Sequence, residues 1–106
     1  MKSKVVFGYC TFPDEATAER ICEVLVAEGI IACANISAPM KSIYKWNNTL
    51  HKETEVAAIL KTSALKQATL MERIRAIHPY ANPCLVFLDI DGGLPDFLKW
   101  IYNQSL

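Results

Sequence analysis

The sequence has 106 residues, 52% of them hydrophobic, which suits one domain (residues 1–106) burying roughly two thirds of its unfolded surface. Eleven basic and eleven acidic side chains cancel, so the chain lacks the long-range attraction of nucleic-acid-binding and anionic-membrane-binding proteins. Its longest apolar runs are too short for a bilayer span or a signal-peptide core, and we therefore expect a cytosolic protein.

Residues 5–10 (VVFGYC) are rich in strand formers and predict a first strand in the centre of the sheet. Thr11 is predicted to cap the helix that follows, and Asp14 adds negative charge at its positive end. Gly29 is predicted to end this helix as a C-terminal cap. Its apolar stripe recurs every three or four residues and comprises Ala18, Ile21, Cys22, Leu25 and Val26.

Residues 31–62 predict one long β-hairpin. Apolar side chains alternate up to Tyr44 and Trp46, and Asn47-Asn48 suits a two-residue turn with positive φ. Each arm would extend on the order of 50 Å, so the hairpin must bend near Pro39 or leave the globule. The aromatic tip favours pairing with another chain and hence an oligomer.

The second half predicts a helix capped by Thr62-Ser63 and stopped at His78 by Pro79. Its buried face is predicted to hold Leu70, Met71, Ile74 and Ile77. A last core strand follows over residues 85–90, and a C-terminal helix starts at Pro95. That helix is predicted to turn Phe97, Leu98 and Ile101 inward, with Trp100 as a further candidate.

The element order is β-α-β-β-α-β plus a C-terminal helix, which predicts an α+β, ferredoxin-like split βαβ sandwich with an antiparallel sheet. The first and third strands should lie side by side in the middle, with the fourth beside the first. We expect Cys10-Thr11, Lys61-Thr62, His78 and Cys84 to meet at one edge of this sheet.

Cys10, His78 and Cys84 would supply two thiols and one imidazole at that edge, a donor set that favours Cu(I) or Zn(II) over magnesium or calcium. The alternative is that the cysteines are small buried hydrophobic residues, since none of the four has metal-finger spacing. Lys61 would either hold an anion beside the 78–83 loop or be solvated. Without a secretion signal, we expect reduced thiols rather than disulfides.

Several short motifs in order resemble the CutA divalent-cation tolerance family. They are Cys10-Thr11 with Pro13-Asp14, residues 32–36 (ACANI), residues 42–46 (SIYKW), Glu53-x-Glu55 leading to residues 59–62 (ILKT), and His78-Pro79-Tyr80 before Pro83. The resemblance covers nearly the whole chain. It implies a PII-like homotrimer whose long hairpins pair between subunits, a role in metal tolerance with copper or another divalent ion as ligand, and no enzymatic activity or organic cofactor.

The resemblance also assigns residues. Cys10 and His78 match metal-ligand positions, while Cys84 stands where relatives commonly carry a glutamate, which replaces a carboxylate by a thiol. Positions that line the family's intersubunit cleft are matched by Trp46, Glu55, Lys61 and Tyr80.

Three functions follow as hypotheses. The leading one is a trimeric, non-enzymatic protein that binds a divalent or soft metal ion at intersubunit clefts, without nucleic-acid or membrane partners. The second is a PII-like signalling or interaction module that holds a small anion or metabolite near Lys61 and Tyr80. The third is a small oligomeric enzyme with His78 as general base.

Overall fold

The computed structural model describes residues 4–106. The strands are β1 (Val5–Phe12), β2 (Cys33–Ile36), β3 (Met40–Trp46), β4 (Thr49–Ser63) and β5 (Leu85–Asp89). The helices are α1 (Glu15–Ala27), α2 (Gln67–Ile77) and α3 (Pro95–Gln104), with a 3-10 turn at Ala64–Lys66 before α2. Within residues 4–106, no helix combines the length and apolar character required to cross a membrane.

The five strands form one antiparallel arrangement in the order β2-β4-β1-β5, and β3 pairs with the remaining half of β4. The order places β1 and β4 in the middle and β5 beside β1. The predicted α+β, ferredoxin-like topology is therefore confirmed.

The long hairpin is built on β4, whose 15 residues face different partners along their length. Residues 49–55 pair with β3, and residues 56–63 pair with β1. The turn has φ of 49° at Asn47 and 65° at Asn48, the left-handed values that asparagine tolerates. The other arm breaks between Ile36 and Met40, around Pro39, as predicted. Because the β3–β4 end extends beyond the sheet, the chain measures 48 × 25 × 24 Å.

The main core lies between one face of the sheet and helices α1 and α2. Alternate residues of β1 and β4 point into it, including Cys10, Phe12 and Leu60, all fully buried. Val5 belongs to the opposite face of β1, where it packs with Ala32 and with Ile101 of α3. The sheet is thus covered by α1 and α2 on one face and partly by α3 on the other.

Three details of the helices differ from the predictions. Asp14, rather than Thr11, caps α1 by accepting a hydrogen bond from the Thr17 amide at 2.7 Å, because β1 continues through Thr11. Val26 and Met71 were predicted to be buried but are 43% and 47% exposed, since each lies at the border of its helix's apolar stripe. On α3, the stacked rings of Phe97 and Trp100 are likewise largely exposed.

Truncation of Leu60 tests the main core. Leu60→Ala should lower the free energy of unfolding by about 2–5 kcal/mol, because it opens a cavity at a fully buried position. The matched control is Leu65→Ala, at a residue that is 73% exposed, which should change stability by no more than about 0.5 kcal/mol. Urea denaturation at fixed protein concentration measures both, and equal effects would contradict the assigned core.

The ion pair between Glu28 and Arg73 should make stability depend on pH. Arg73 donates hydrogen bonds of 2.9 and 2.8 Å to both carboxylate oxygens and thereby lowers the pKa of Glu28 below its usual 4.5. A depressed carboxyl pKa stabilises the fold above the unfolded pKa, and this contribution is lost as pH falls through the folded value. Glu28→Gln should therefore be less stable than wild type at neutral pH, and the difference should shrink below about 4.5. A pH-independent difference in denaturation midpoints would contradict the assignment.

Candidate functional site

His78 anchors the loop that follows α2. Its side chain is buried, and its Nε2 lies 2.7 Å from the carbonyl oxygen of Thr11. The Tyr80 amide donates to Nδ1 at 3.1 Å. A carbonyl can only accept a hydrogen bond, so Nε2 carries the proton and Nδ1 offers its lone pair to Tyr80. The ring also stacks on Phe12, at 5.1 Å between centroids, which fixes its orientation.

Tyr80 connects this loop to the hairpin. Its hydroxyl donates to Glu55 Oε2 at 2.7 Å, just where β4 leaves the sheet. Burial and the neighbouring Glu55 carboxylate both raise the pKa of Tyr80. The phenol therefore stays protonated at neutral pH and serves as a hydrogen-bond donor.

A groove of ≈ 730 Å³ lies between the loop and the hairpin. Glu55, Tyr80 and Cys84 line one end, close to Thr11, and Asn82 contributes from the loop. Tyr44 and Trp46 line it along β3 and remain 42% and 48% exposed. Aromatic side chains exposed along a concave surface with a few polar groups are typical of a ligand site.

The two thiols at this end of the sheet differ in accessibility. Cys10 is fully buried, and its burial, with nearby Cys84, raises its pKa to about 12. Cys84 is only partly buried and lies on the groove, although burial and Glu55 also raise its pKa. Since a thiolate, not a thiol, binds metal, both would have to lose a proton to an incoming ion.

Within residues 4–106, no group of three His, Cys, Asp or Glu side chains is arranged to hold a metal ion. Cys10, His78 and Cys84 do lie at the same end of the sheet, since His78 and Cys84 both approach Thr11. However, both nitrogens of His78 are engaged in hydrogen bonds, and Cys10 points into the core. A single chain therefore does not present the three predicted ligands as a ready-made site.

Lys61 does not lie at this edge, and the prediction that it meets Cys10, His78 and Cys84 is wrong. Strand β4 runs antiparallel to β1, so Lys61 and Thr62 pair with Phe7 and Val6 near the start of β1, and Thr62 was misplaced for the same reason. Thr11, by contrast, pairs with Ala57. Six residues separate Lys61 from Glu55, or about 20 Å along the strand. Its ammonium instead lies 5.3 Å from the Phe7 ring centroid and 5.4 Å from that of Phe97.

Trp46, Glu55 and Tyr80, which the family resemblance assigned to a cleft between subunits, border one groove of a single chain. The roles of two further lining residues were not predicted. The sequence pattern gave Thr11 the role of a helix cap, whereas the Thr11 carbonyl accepts from His78 and the residue lines the groove. A backbone acceptor leaves no signal in a side-chain pattern. Tyr44 was noted only as an exposed aromatic residue, although its alternation with Trp46 already placed both on one face.

The fold and the groove define a small ferredoxin-like protein with a candidate ligand site. The sequence matches the family described as CutA1 divalent ion tolerance protein over residues 6–104, and this chain belongs to that family.

Two relatives are each described as divalent-cation tolerance protein CutA. The protein from Citrobacter koseri is 41% identical over 103 residues, covering 97% of this chain and 89% of the relative. That from Pyrococcus horikoshii is 37% identical over 101 residues, covering 95% and 98%. A solved structure from Archaeoglobus fulgidus, described as periplasmic divalent cation tolerance protein CutA, superimposes with a TM-score of 0.92 at 36% identity, covering 96% of this chain and 99% of the other.

Removal of one hydroxyl tests the link between the loop and the hairpin. Tyr80→Phe should cost about 1 kcal/mol of unfolding free energy, because the hydrogen bond to Glu55 is lost in a partly solvated setting. Tyr102→Phe is the matched control, since no hydrogen bond of its hydroxyl occurs within residues 4–106. Chemical denaturation compares them, and equal stability of the two variants would contradict the role assigned to Tyr80.

Proposed function

We propose that this protein is a non-enzymatic, cation-binding member of its family that forms a homotrimer and binds a divalent or soft metal ion in the groove. The observation that carries the proposal is the meeting of a carboxylate, Glu55, and a thiol, Cys84, at one end of a groove reachable from solvent. Oxygen and sulfur donors together suit zinc or copper better than calcium or magnesium.

The three predicted ligands differ in how accessible they are to an ion. Cys84 lies on the groove surface, where an ion can reach it. Cys10 would first have to lose its proton, and His78 would have to give up a hydrogen bond to Thr11 or to Tyr80. We therefore propose Cys84 and Glu55 as the first ligands, with further donors supplied by a neighbouring subunit or by rearrangement of the loop.

Exposed apolar surface supports the homotrimer. On β5, Val86 and Leu88 are 52% and 56% exposed on the sheet face away from α1 and α2. The hairpin exposes Ile43 and Leu50 to 62% and 64%. Such surfaces on a small chain favour association with further copies, and the PII-like trimer implied by the sequence resemblance would cover them.

The two other functional hypotheses have less support. Binding of a small anion near Lys61 and Tyr80 required these residues to be neighbours, yet in one chain Tyr80 contacts Glu55, and Lys61 lies six positions further along β4, at about 20 Å. General-base catalysis by His78 would require a ring nitrogen free to take a proton, and both are hydrogen-bonded inside the fold. We retain the cytosol as the proposed location, although the Archaeoglobus fulgidus relative is described as periplasmic.

Calorimetric titration with Zn²⁺, and with Cu⁺ under anaerobic reducing conditions, tests metal binding. Wild type should bind saturably, and Cys84→Ser should weaken binding by about tenfold or more, because it removes the accessible thiolate. The control is Cys33→Ser, since Cys33 is also partly buried but lies on β2, away from the groove. No saturable binding, or equal effects of the two substitutions, would refute the proposed site.

A further inference from the structure

We propose that the groove also binds an elongated organic ammonium ion, with the cationic head at Glu55 and an apolar tail along Tyr44 and Trp46. This inference rests on the proposed function, because it takes the same groove to be the binding site. It extends that function from metal ions to a class of organic ligand.

The end of the groove near β4 carries negative charge. Glu55 accepts a hydrogen bond from Tyr80 through Oε2, which leaves Oε1 available to a second donor. Glu53 lies on the same face of β4, two residues away, and its charge also reaches Tyr80. An ammonium group placed at Glu55 would therefore meet one carboxylate directly, with that of Glu53 further along the same face of β4 beside His51.

One basic side chain on this face of the hairpin, His51, pairs with Glu53 at 3.9 Å between Nδ1 and Oε1, whereas Glu55 forms no ion pair within residues 4–106. Lys45 borders the groove, but it alternates with Tyr44 and Trp46 and so projects from the opposite face of β3. Lys61 lies about six residues along β4, between the rings of Phe7 and Phe97. The charge at Glu55 favours a cation over the small anion of the second sequence-based hypothesis.

The walls of the groove suit an organic cation rather than a bare ion. Tyr44 and Trp46 lie on the same face as Glu55, and Tyr80 closes the acidic end, so three aromatic rings border one groove. Aromatic faces attract ammonium groups and pack against apolar tails. Because Tyr44 packs against His51, at 5.2 Å between centroids, its ring is held in place before any ligand arrives.

The size of the groove agrees with such a ligand. In the register of the hairpin, Glu55 pairs with Met40, and Trp46 lies six positions further along β3, so the two ends of the groove are about 20 Å apart along the strand. Its volume of ≈ 730 Å³ lies in the range of small-molecule sites, far above the volume that one metal ion fills. A ligand with an ammonium head and an extended apolar tail matches the length of the groove. It also matches the change in lining from the carboxylate of Glu55 at one end to the aromatic rings of Tyr44 and Trp46 along β3.

Titration calorimetry with three probes of equal shape tests the proposal. Decylamine carries a cationic head at neutral pH, decanol a neutral head and decanoate an anionic head, and the ten-carbon tail is long enough to extend from Glu55 towards Trp46. The amine should bind saturably and about tenfold or more tightly than either analogue, since only the amine pairs with Glu55. In a Trp100→Phe background, the emission of Trp46, the other of the two tryptophans, should change on binding. No saturable amine binding, equal affinity for the three probes, or unchanged Trp46 emission would overturn the proposal.

Two substitutions separate the charge of Glu55 from its structural role. Glu55→Gln should weaken amine binding by about tenfold, whereas Glu72→Gln, at an exposed position on α2, should leave it unchanged. The glutamine keeps the shape of the side chain and an oxygen that can accept from the Tyr80 hydroxyl, so a loss of binding reports the missing charge. An unchanged affinity in Glu55→Gln, or an equal loss in Glu72→Gln, would show that the carboxylate is not the recognition element.

The outcomes also separate this inference from the metal proposal. Saturable metal binding without amine binding would refute the organic ligand alone. Amine binding that depends on Glu55, without any metal binding, would support the organic ligand and refute the metal site.

Discussion

The structure depends on strand β4 having two different partners along its length. Its second half is paired on both edges, with β1 and β2, and its alternate residues, including Val56 and Leu60, are buried under α1 and α2. Its first half pairs only with β3 and leaves the globule. Glu55 stands at the transition, so the rigid sheet sets the position of the carboxylate while the groove opens beside the less constrained half of the hairpin.

A short chain of hydrogen bonds carries that rigidity into the loop after α2. The Thr11 carbonyl accepts from His78, His78 accepts from the Tyr80 amide, and the Tyr80 hydroxyl donates to Glu55. Three separate elements, β1, the loop and β4, are thereby connected at one end of the sheet. In this arrangement His78 is a positioning residue, and the groups left to meet a ligand are Glu55, Cys84 and the aromatic rings.

Much of the fold follows from local sequence signals. Asn47-Asn48 predicted the turn, Pro39 the break in the first arm, Gly29 the end of α1 with its φ of 71°, and Pro95 the start of α3. These residues restrict the backbone directly, so their effect does not depend on distant contacts. Predictions of burial failed at Val26 and Met71, because helical periodicity gives the centre of an apolar stripe more reliably than its borders.

The candidate site was predicted only in part. Trp46, Glu55 and Tyr80 came from the family resemblance and do border one groove. Lys61 was predicted at the wrong end of the sheet. Because β4 runs antiparallel to β1, the end of β4 that carries Lys61 lies beside the start of β1, whereas Cys10 lies near the end of β1. The hydrogen bonds of His78 could not be foreseen, since they require knowing which backbone groups come within reach of each ring nitrogen.

The central claim is that both ring nitrogens of His78 form hydrogen bonds that hold the loop, so that neither is available as a metal ligand. Nitrogen-15 NMR of the imidazole groups tests this most directly, with the chain's other histidine, His51, as internal reference. We predict a proton on Nε2 and a hydrogen-bonded, unprotonated Nδ1, with both signals unchanged after Zn²⁺ saturates the groove. A proton on Nδ1, or a zinc-induced shift of either nitrogen signal of His78, would contradict this account.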